Sequence, residues 1–219
     1  MLTRRSLLKR YFWTILGSFV LPLSLPIKWI QTAWASGIKI LPKGFPKAEL
    51  MGMNPADIDC RNLETDPIDK FGTMGPTDVA IDLGAYRLKV TGEVNLPLSL
   101  SYDEILRLPS ITEDVLLICP GFFANYGRWT GVPLKAFLDK AQLKKEVDFV
   151  DIKGGREKAI RIRAESIGSR KIFLAYRVNG ETLPQKHGFP LRLVFEGVYG
   201  DEWVKYVDEI VALSHPSKS

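Results

Sequence analysis

The sequence predicts an α+β fold, a mixed β-sheet domain with few helices, and three observations carry that expectation. Residues 85 to 213 hold a succession of short apolar or alternating runs of strand length. Only two stretches carry helix start signals. Strand and helix never alternate regularly and no internal repeat is present, which excludes a doubly wound parallel sheet and a solenoid. With 219 residues, 46% of them hydrophobic, the chain has material for one sizeable core.

Residues 1–35 read as a leader: Thr3-Arg4-Arg5-Ser6-Leu7-Leu8-Lys9, an apolar stretch from Tyr11 to Ile27, then Ala33-Trp34-Ala35 as an A-x-A cleavage pattern. The adjacent arginines followed by Leu7 and Leu8 match a twin-arginine signal; an ordinary secretory signal or an uncleaved anchor is the alternative. Pro22, Pro26 and Lys28 interrupt the apolar run and make a full membrane span awkward. The leader points to export, to the periplasm, possession of a membrane anchor being left open.

The formal charge of +5 sits in this leader. Arg4, Arg5, Lys9, Arg10 and Lys28 are its cations and it holds no acid, so the remaining 25 basic residues match the chain's 25 acids. A formally neutral body offers no surplus charge to neutralise phosphates, which argues against nucleic-acid binding.

Residues 36–77 are rich in Pro, Gly, Asp and Lys without periodicity and read as an irregular lead-in segment before a domain over 78–219. Ala85 to Gly92 alternates as a half-buried strand. Ser101-Tyr102-Asp103-Glu104 is a capping box for a short helix from Tyr102 to Leu108, stopped by Pro109. Val115-Leu116-Leu117-Ile118-Cys119 is a buried strand ended by Pro120-Gly121. Pro133 opens a second helix reaching Leu143, with Leu134, Phe137, Leu138 and Ala141 on one face. Strands follow over 149–152, 159–162, 173–178, 191–195 and 206–213, and Asn179-Gly180 marks a hairpin.

Cys119, after an apolar run, is readily a small core hydrophobe, yet the Pro120-Gly121 break puts its sulfur where chain leaves sheet, as a nucleophile or soft metal ligand would be. Only His187 and His215 exist, too few for a typical zinc site, and His215 lies in a polar tail. His187-Gly188-Phe189-Pro190-Leu191-Arg192 is either a Gly-Pro turn entering a strand or an anion-recognition cluster, to which Lys205 could add a third donor. Neither G-x-G-x-x-G nor a Walker pattern occurs.

Three stretches together resemble the molybdopterin-dependent oxidoreductases of the sulfite oxidase type. Cys119 followed by Trp129-Thr130-Gly131-Val132-Pro133-Leu134 resembles the metal-ligand cysteine and its trailing motif. Leu183-Pro184, His187 to Arg192, Gly200 and Lys205 resemble the pterin-binding stretch. Thr65-Asp66, Phe71-Gly72 and Val90 to Val94 resemble the family's N-terminal approach, and the resemblance spans residues 62 to 213. It implies a sulfite oxidase-type mixed β-sheet fold and a molybdenum–molybdopterin cofactor. It further implies Cys119 as the catalytic metal ligand, and His187, Arg192 and Lys205 on the pterin and its phosphate. Asp66, Asp69, Lys70, Gly154, and the backbones of Trp203 and Val204, are implied as lesser contacts.

The sequence departs from the sulfite and nitrate enzymes after the cysteine, where 120–126 offers aromatics and an amide in place of arginine. That favours a small neutral substrate bordered by Phe122, Phe123, Asn125, Tyr126 and Arg128. The resemblance is to small periplasmic members such as the methionine-sulfoxide reductase catalytic subunit, which implies a separate electron-transfer partner at the membrane. Two other readings stand beside it: a Cys119–His187 thiol hydrolase, and a secreted binding module that kept the fold and lost the cofactor.

Overall fold

Apolar strand runs separated by turn residues pair into two five-stranded sheets in the computed structural model, which describes residues 37–155 and 157–214. The leader over 1–35 and His215 lie outside the described residues. The lead-in holds β1 (Lys39–Ile40), the one-turn helix α1 (Lys47–Leu50) and β2 (Ile58–Asp59). Then come β3 (Leu88–Gly92), β4 (Leu98–Leu100), α2 (Tyr102–Leu106), β5 (Ile111–Cys119), β6 (Phe123–Pro133) and α3 (Leu134–Ala141). The last part is β: β7 (Phe149–Gly154), β8 (Ile160–Arg163), β9 (Ile172–Val178), β10 (Glu181–Thr182), β11 (Arg192–Phe195) and β12 (Val207–Leu213).

One sheet runs β4-β3-β12-β7-β8 and the other β10-β9-β6-β5, with β11 on the β10 side of β9. β12 pairs parallel with β3 and antiparallel with β7, so the α+β mixed-sheet expectation holds. Ser101 closes the capping box on α2 with both reciprocal bonds. α3 buries the predicted face of Leu134, Phe137, Leu138 and Ala141, and both residues of the Asn179-Gly180 turn take the positive φ that a two-residue hairpin requires.

Two expectations need correction. The strand expected from Ala85 begins only at Leu88, because the 83–85 turn precedes it; Tyr86 is nevertheless buried and donates from its hydroxyl to the Val207 carbonyl at 2.5 Å. Residues 123–133, for which no strand was expected, form the eleven-residue strand β6. It pairs with β5 from Cys119↔Phe123 to Ile111↔Gly131 and with β9 on its other edge.

Alternation along β5 decides what faces the site. Val115 and Leu117 enter the main core, to which both sheets and α3 contribute, while Leu116 and Ile118 join a smaller cluster with Leu41, Leu50 and Tyr126 under the lead-in. Cys119 therefore takes the main-core side of the sheet.

Candidate cofactor site

The end of β5 presents Cys119, half-buried and free. Its chain turns at once, Gly121 at φ +75 letting the Phe122 amide donate back to the Cys119 carbonyl at 3.0 Å. The sulfur lies against the 3₁₀ turn Gly200–Glu202: a Cβ on Gly200 would sit 2.9 Å from Sγ and 2.9 Å from Leu117 Cδ1. Burial raises the thiol's pKa, opposed by Arg192 and Lys205 and reinforced by Asp201. Without a metal the sulfur stays protonated and is a poor nucleophile.

The second wall is the turn Gln185–His187 leading into β11. Gly188, at φ +109, brings its backbone so close to Lys205 that a Cβ there would meet Lys205 Cβ at 2.9 Å. His187 is 1% exposed, its ring edge-on to Phe71 at 5.8 Å, and its Nε2 has no partner. Burial, with Arg192 adding to it, pushes the imidazole down to about 4, so it is neutral at physiological pH.

Arg192, first residue of β11, is 6% exposed. Its Nη1 donates to the His187 carbonyl at 2.9 Å and its guanidinium lies over Trp203 and Trp129 at 5.7 and 6.0 Å. Its Nε has no partner, and it joins none of the ion pairs seen among the described residues. Burial lowers its pKa to about 10, leaving it cationic.

A buried cation with an idle donor beside a buried imidazole with an idle nitrogen is costly in a native fold unless a ligand completes both. That pair suits an anionic, hydrogen-bonding group such as a pterin phosphate, and the nearby sulfur suits a soft metal. The residues present fit a molybdopterin cofactor.

Other expected contacts distribute differently. Trp203 is buried against Trp129 at 5.5 Å and donates from Nε1 to the Phe195 carbonyl at 3.0 Å; the Val204 carbonyl accepts from Leu193 N at 2.8 Å. Both hold the wall behind Arg192; the Val204 carbonyl faces β11, whereas the Trp203 amide donates to the Gly200 carbonyl at 3.2 Å. Gly154 lies tight against the Lys205 and Tyr206 carbonyls, where any side chain would collide. Lys205 is 2% exposed, and its ammonium is already engaged by Thr73, Met74 and Pro76. Asp66 pins the lead-in to β6, accepting from Tyr126 N at 2.9 Å and pairing with Lys47. Asp69 and Lys70 occupy an exposed 3₁₀ turn, Ile68–Lys70.

The residues expected on the substrate side also divide. Tyr126 belongs to the cluster under the lead-in, and Arg128 is bidentate to Asp114 at 2.8 and 2.9 Å. Asn125, 2% exposed, clamps Gly72 with both amide groups, at 3.0 and 2.9 Å. That leaves the exposed Phe122 at the turn and Phe123, packed on Gly72. The Asn125–Gly72 clamp and the seat of Gly200 against Cys119 escaped sequence reasoning, although Gly72 and Gly200 belong to the motifs quoted above.

No Cys119–His187 hydrogen bond forms among the described residues, and the thiol is raised while the imidazole is idle. The hydrolase dyad is not assembled. Cys60 lines a groove of about 900 Å³ between the lead-in and β5, with Asp59, Asp114, Arg128 and Lys171, whereas Cys119 does not. Burial and Asp59 raise the Cys60 thiol to about 11.

Comparison with known proteins decides the family. The signature of the "Oxidoreductase molybdopterin binding domain" matches residues 74–219. The chain belongs to that family. It is a molybdopterin-dependent oxidoreductase of the sulfite oxidase type, and its cofactor is molybdenum–molybdopterin. A nitrate reductase [NADH] of Solanum lycopersicum is 30% identical over 186 residues, which cover 70% of this chain and 20% of the relative. A sulfite oxidase of Arabidopsis thaliana is 28% identical over 190 residues, 69% of this chain and 48% of the relative. The chain thus spans between a fifth and a half of these relatives. The sulfane dehydrogenase SoxCD of Paracoccus pantotrophus shares the fold, with a TM-score of 0.59 at 23% identity over 93% of this chain and 57% of its own.

Proposed function

We propose that this molybdopterin oxidoreductase is exported and transfers an oxygen atom to or from a small, neutral substrate, with Cys119 as the protein's ligand to the metal. The observation that carries the reading is the pair of unpartnered buried nitrogens, His187 Nε2 and Arg192 Nε, on the wall next to the Cys119 sulfur.

Each residue then has a task. Arg192, held by the His187 carbonyl and sandwiched near two tryptophans, supplies a fixed cation for the cofactor's anionic end. His187 supplies an uncharged ring nitrogen, its tautomer set by whether the cofactor accepts or donates there. Cys119, which burial keeps protonated, gives up its proton on binding metal and so ties cofactor loading to proton release. Gly200, having no side chain, lets its turn seat directly against the sulfur. When bound, the cofactor supplies the two-electron redox chemistry, and the protein orients it and shapes access.

Neutral substrate chemistry is supported by the turn beside Cys119, which offers Phe122 and Phe123, while Arg128 is paired on the other face. Electrons would come from or go to a separate partner at the membrane. No helix among the described residues is long and apolar enough to cross one. Export rests on the Arg4-Arg5 leader.

Elemental and pterin analysis of the full chain, purified from the exporting compartment, tests the reading. Near-stoichiometric molybdenum with pterin is expected; a metal-free protein that still catalyses, or an inert one, overturns it.

A further inference from the structure

Strand β6 turns one face to the main core, and the residues on that face, two apart along the strand, meet one short stretch of the lead-in. Phe123 packs on Gly72. Asn125, 2% exposed, clamps it: the Gly72 amide donates to Asn125 Oδ1 at 3.0 Å, and Asn125 Nδ2 donates to the Gly72 carbonyl at 2.9 Å. Gly127 leaves the space that the Phe71 ring fills, since a Cβ there would lie 2.8 Å from Phe71 Cζ. Trp129, whose Nε1 donates to the Val115 carbonyl at 3.2 Å, meets the same ring at 5.9 Å. Further back, the Asp66 amide donates to the Tyr126 carbonyl at 2.7 Å, so Phe71 lies between two tethers to β6.

What this stretch carries is Phe71, 5% exposed, whose ring stands edge-on to His187 with centroids 5.8 Å apart and planes inclined at 73°. The imidazole depends on that contact. Arg192 Nη1 donates to the His187 carbonyl, so this bond fixes the backbone, and Nε2 has no partner to orient the ring. Packing must hold it, and Phe71 is the aromatic neighbour that does so. Without Asn125 the two Gly72 backbone groups would be left to seek water, and Phe71 would lose the tether on its C-terminal side.

We propose that Asn125 is a positioning residue: from β6 it holds Gly72, and through Phe71 it sets the orientation of the His187 imidazole. The consequence for the cofactor rests on the reading above; the positioning of the ring does not. Arg192 is held separately, because its guanidinium lies over Trp129 and Trp203, which keep their own hydrogen bonds to Val115 and Phe195. Loss of the clamp therefore acts on the imidazole and spares the guanidinium.

The chain has two histidines, His187 and His215, so nitrogen NMR of the histidine-labelled full chain gives two ring signals, told apart by His187→Gln. Without cofactor, the His187 ring, pushed down to about 4 by burial and by Arg192, Lys186 and Lys205, should be largely neutral at pH 5 in the parent. In Asn125→Ala a displaced Phe71 lets water reach the ring, and its midpoint should rise by about one pH unit, leaving it about half charged at pH 5. Phe71→Leu should do the same, and adding Asn125→Ala to it should change the ring no further, as two residues acting in series require. Asn125→Ser, which also cannot clamp both Gly72 groups, stands in if Asn125→Ala does not fold. On loaded protein, pterin release read by fluorescence should quicken about tenfold in Asn125→Ala and Phe71→Leu, the size expected for one lost hydrogen bond. An unchanged His187 signal in the folded variants overturns the proposal. Additive effects in the double variant overturn it equally, since Asn125 would then reach the ring by another path. A shifted ring with parental pterin release leaves the positioning standing and removes His187 from the cofactor. If the parent chain holds no pterin, the cofactor reading fails, and the ring comparison alone still accepts or rejects the positioning.

Discussion

Gly200 is seated directly on the sulfur of Cys119: a methyl group there would lie 2.9 Å from Sγ and from Leu117 Cδ1, against side chains fixed by a nine-residue strand. Gly200→Ala should therefore force Cys119 off its present rotamer, with an overpacking cost of about 1–3 kcal/mol. Urea unfolding of the purified variant should show that loss, and its molybdenum content should fall below the parent's. Parental stability and metal content together would mean that the sulfur is not confined by this turn.

Arg192 is a buried cation whose Nε is idle in the cofactor-free chain. Replacing such a charge with an apolar side chain of similar length is often neutral for folding, because the desolvation penalty disappears with it. Arg192→Met should unfold within about 1 kcal/mol of the parent without cofactor. It should release pterin faster by about one to two orders of magnitude, as loss of a charge-assisted hydrogen bond implies. A variant that keeps full pterin yet loses all turnover would move Arg192 to the substrate.

His187 gives a pH signature. Its ordinary pKa of 6.5 falls to about 4 in the fold through burial and the neighbouring Arg192. Between those values the unfolded chain binds a proton that the folded chain refuses, so this residue's contribution is fully present above 6.5 and is lost as pH falls toward 4. Cofactor-free parent protein should lose stability over that window, and His187→Gln should show a shallower decline. Identical acid limbs would place the titration elsewhere.

Much of the fold was legible because its strands announce themselves locally. The runs of β5, β9 and β12, the Ser101–Glu104 capping box and the Asn179-Gly180 turn each carry their own signal. β6 does not. Asn125, Gly127 and Gly131 are weak strand formers, and both of its faces are covered, one by the main core and one by the lead-in cluster, so no polar–apolar alternation survives. The site divides the same way. Cys119, His187 and Arg192 stand in short motifs, whereas the clamp of Asn125 on Gly72 joins residues 53 apart, and the partners of Lys205 include backbone carbonyls that no side-chain pattern encodes. Asp66 shows the converse: it stands in a motif, but its carboxylate is occupied by Tyr126 and Lys47.

The leader makes a separate prediction about the cell. If Arg4-Arg5 directs the chain to a route for folded proteins, replacing both with lysine should leave cofactor-loaded precursor in the cytoplasm. Cell fractionation with a signal-processed control reads this directly. Unimpaired export of the double variant would indicate the general secretory route.

The central claim is that Cys119 supplies the protein's bond to molybdenum. X-ray absorption at the molybdenum edge measures it most directly, comparing the parent with Cys119→Ser and with Cys60→Ser as the control thiol. A soft thiolate at the strand exit predicts one fewer sulfur neighbour and lost activity in Cys119→Ser, with pterin still held through Arg192 and His187, and an unchanged sulfur shell in Cys60→Ser. The same sulfur count in Cys119→Ser as in the parent would contradict the account and leave this cysteine a packed side chain beside Gly200.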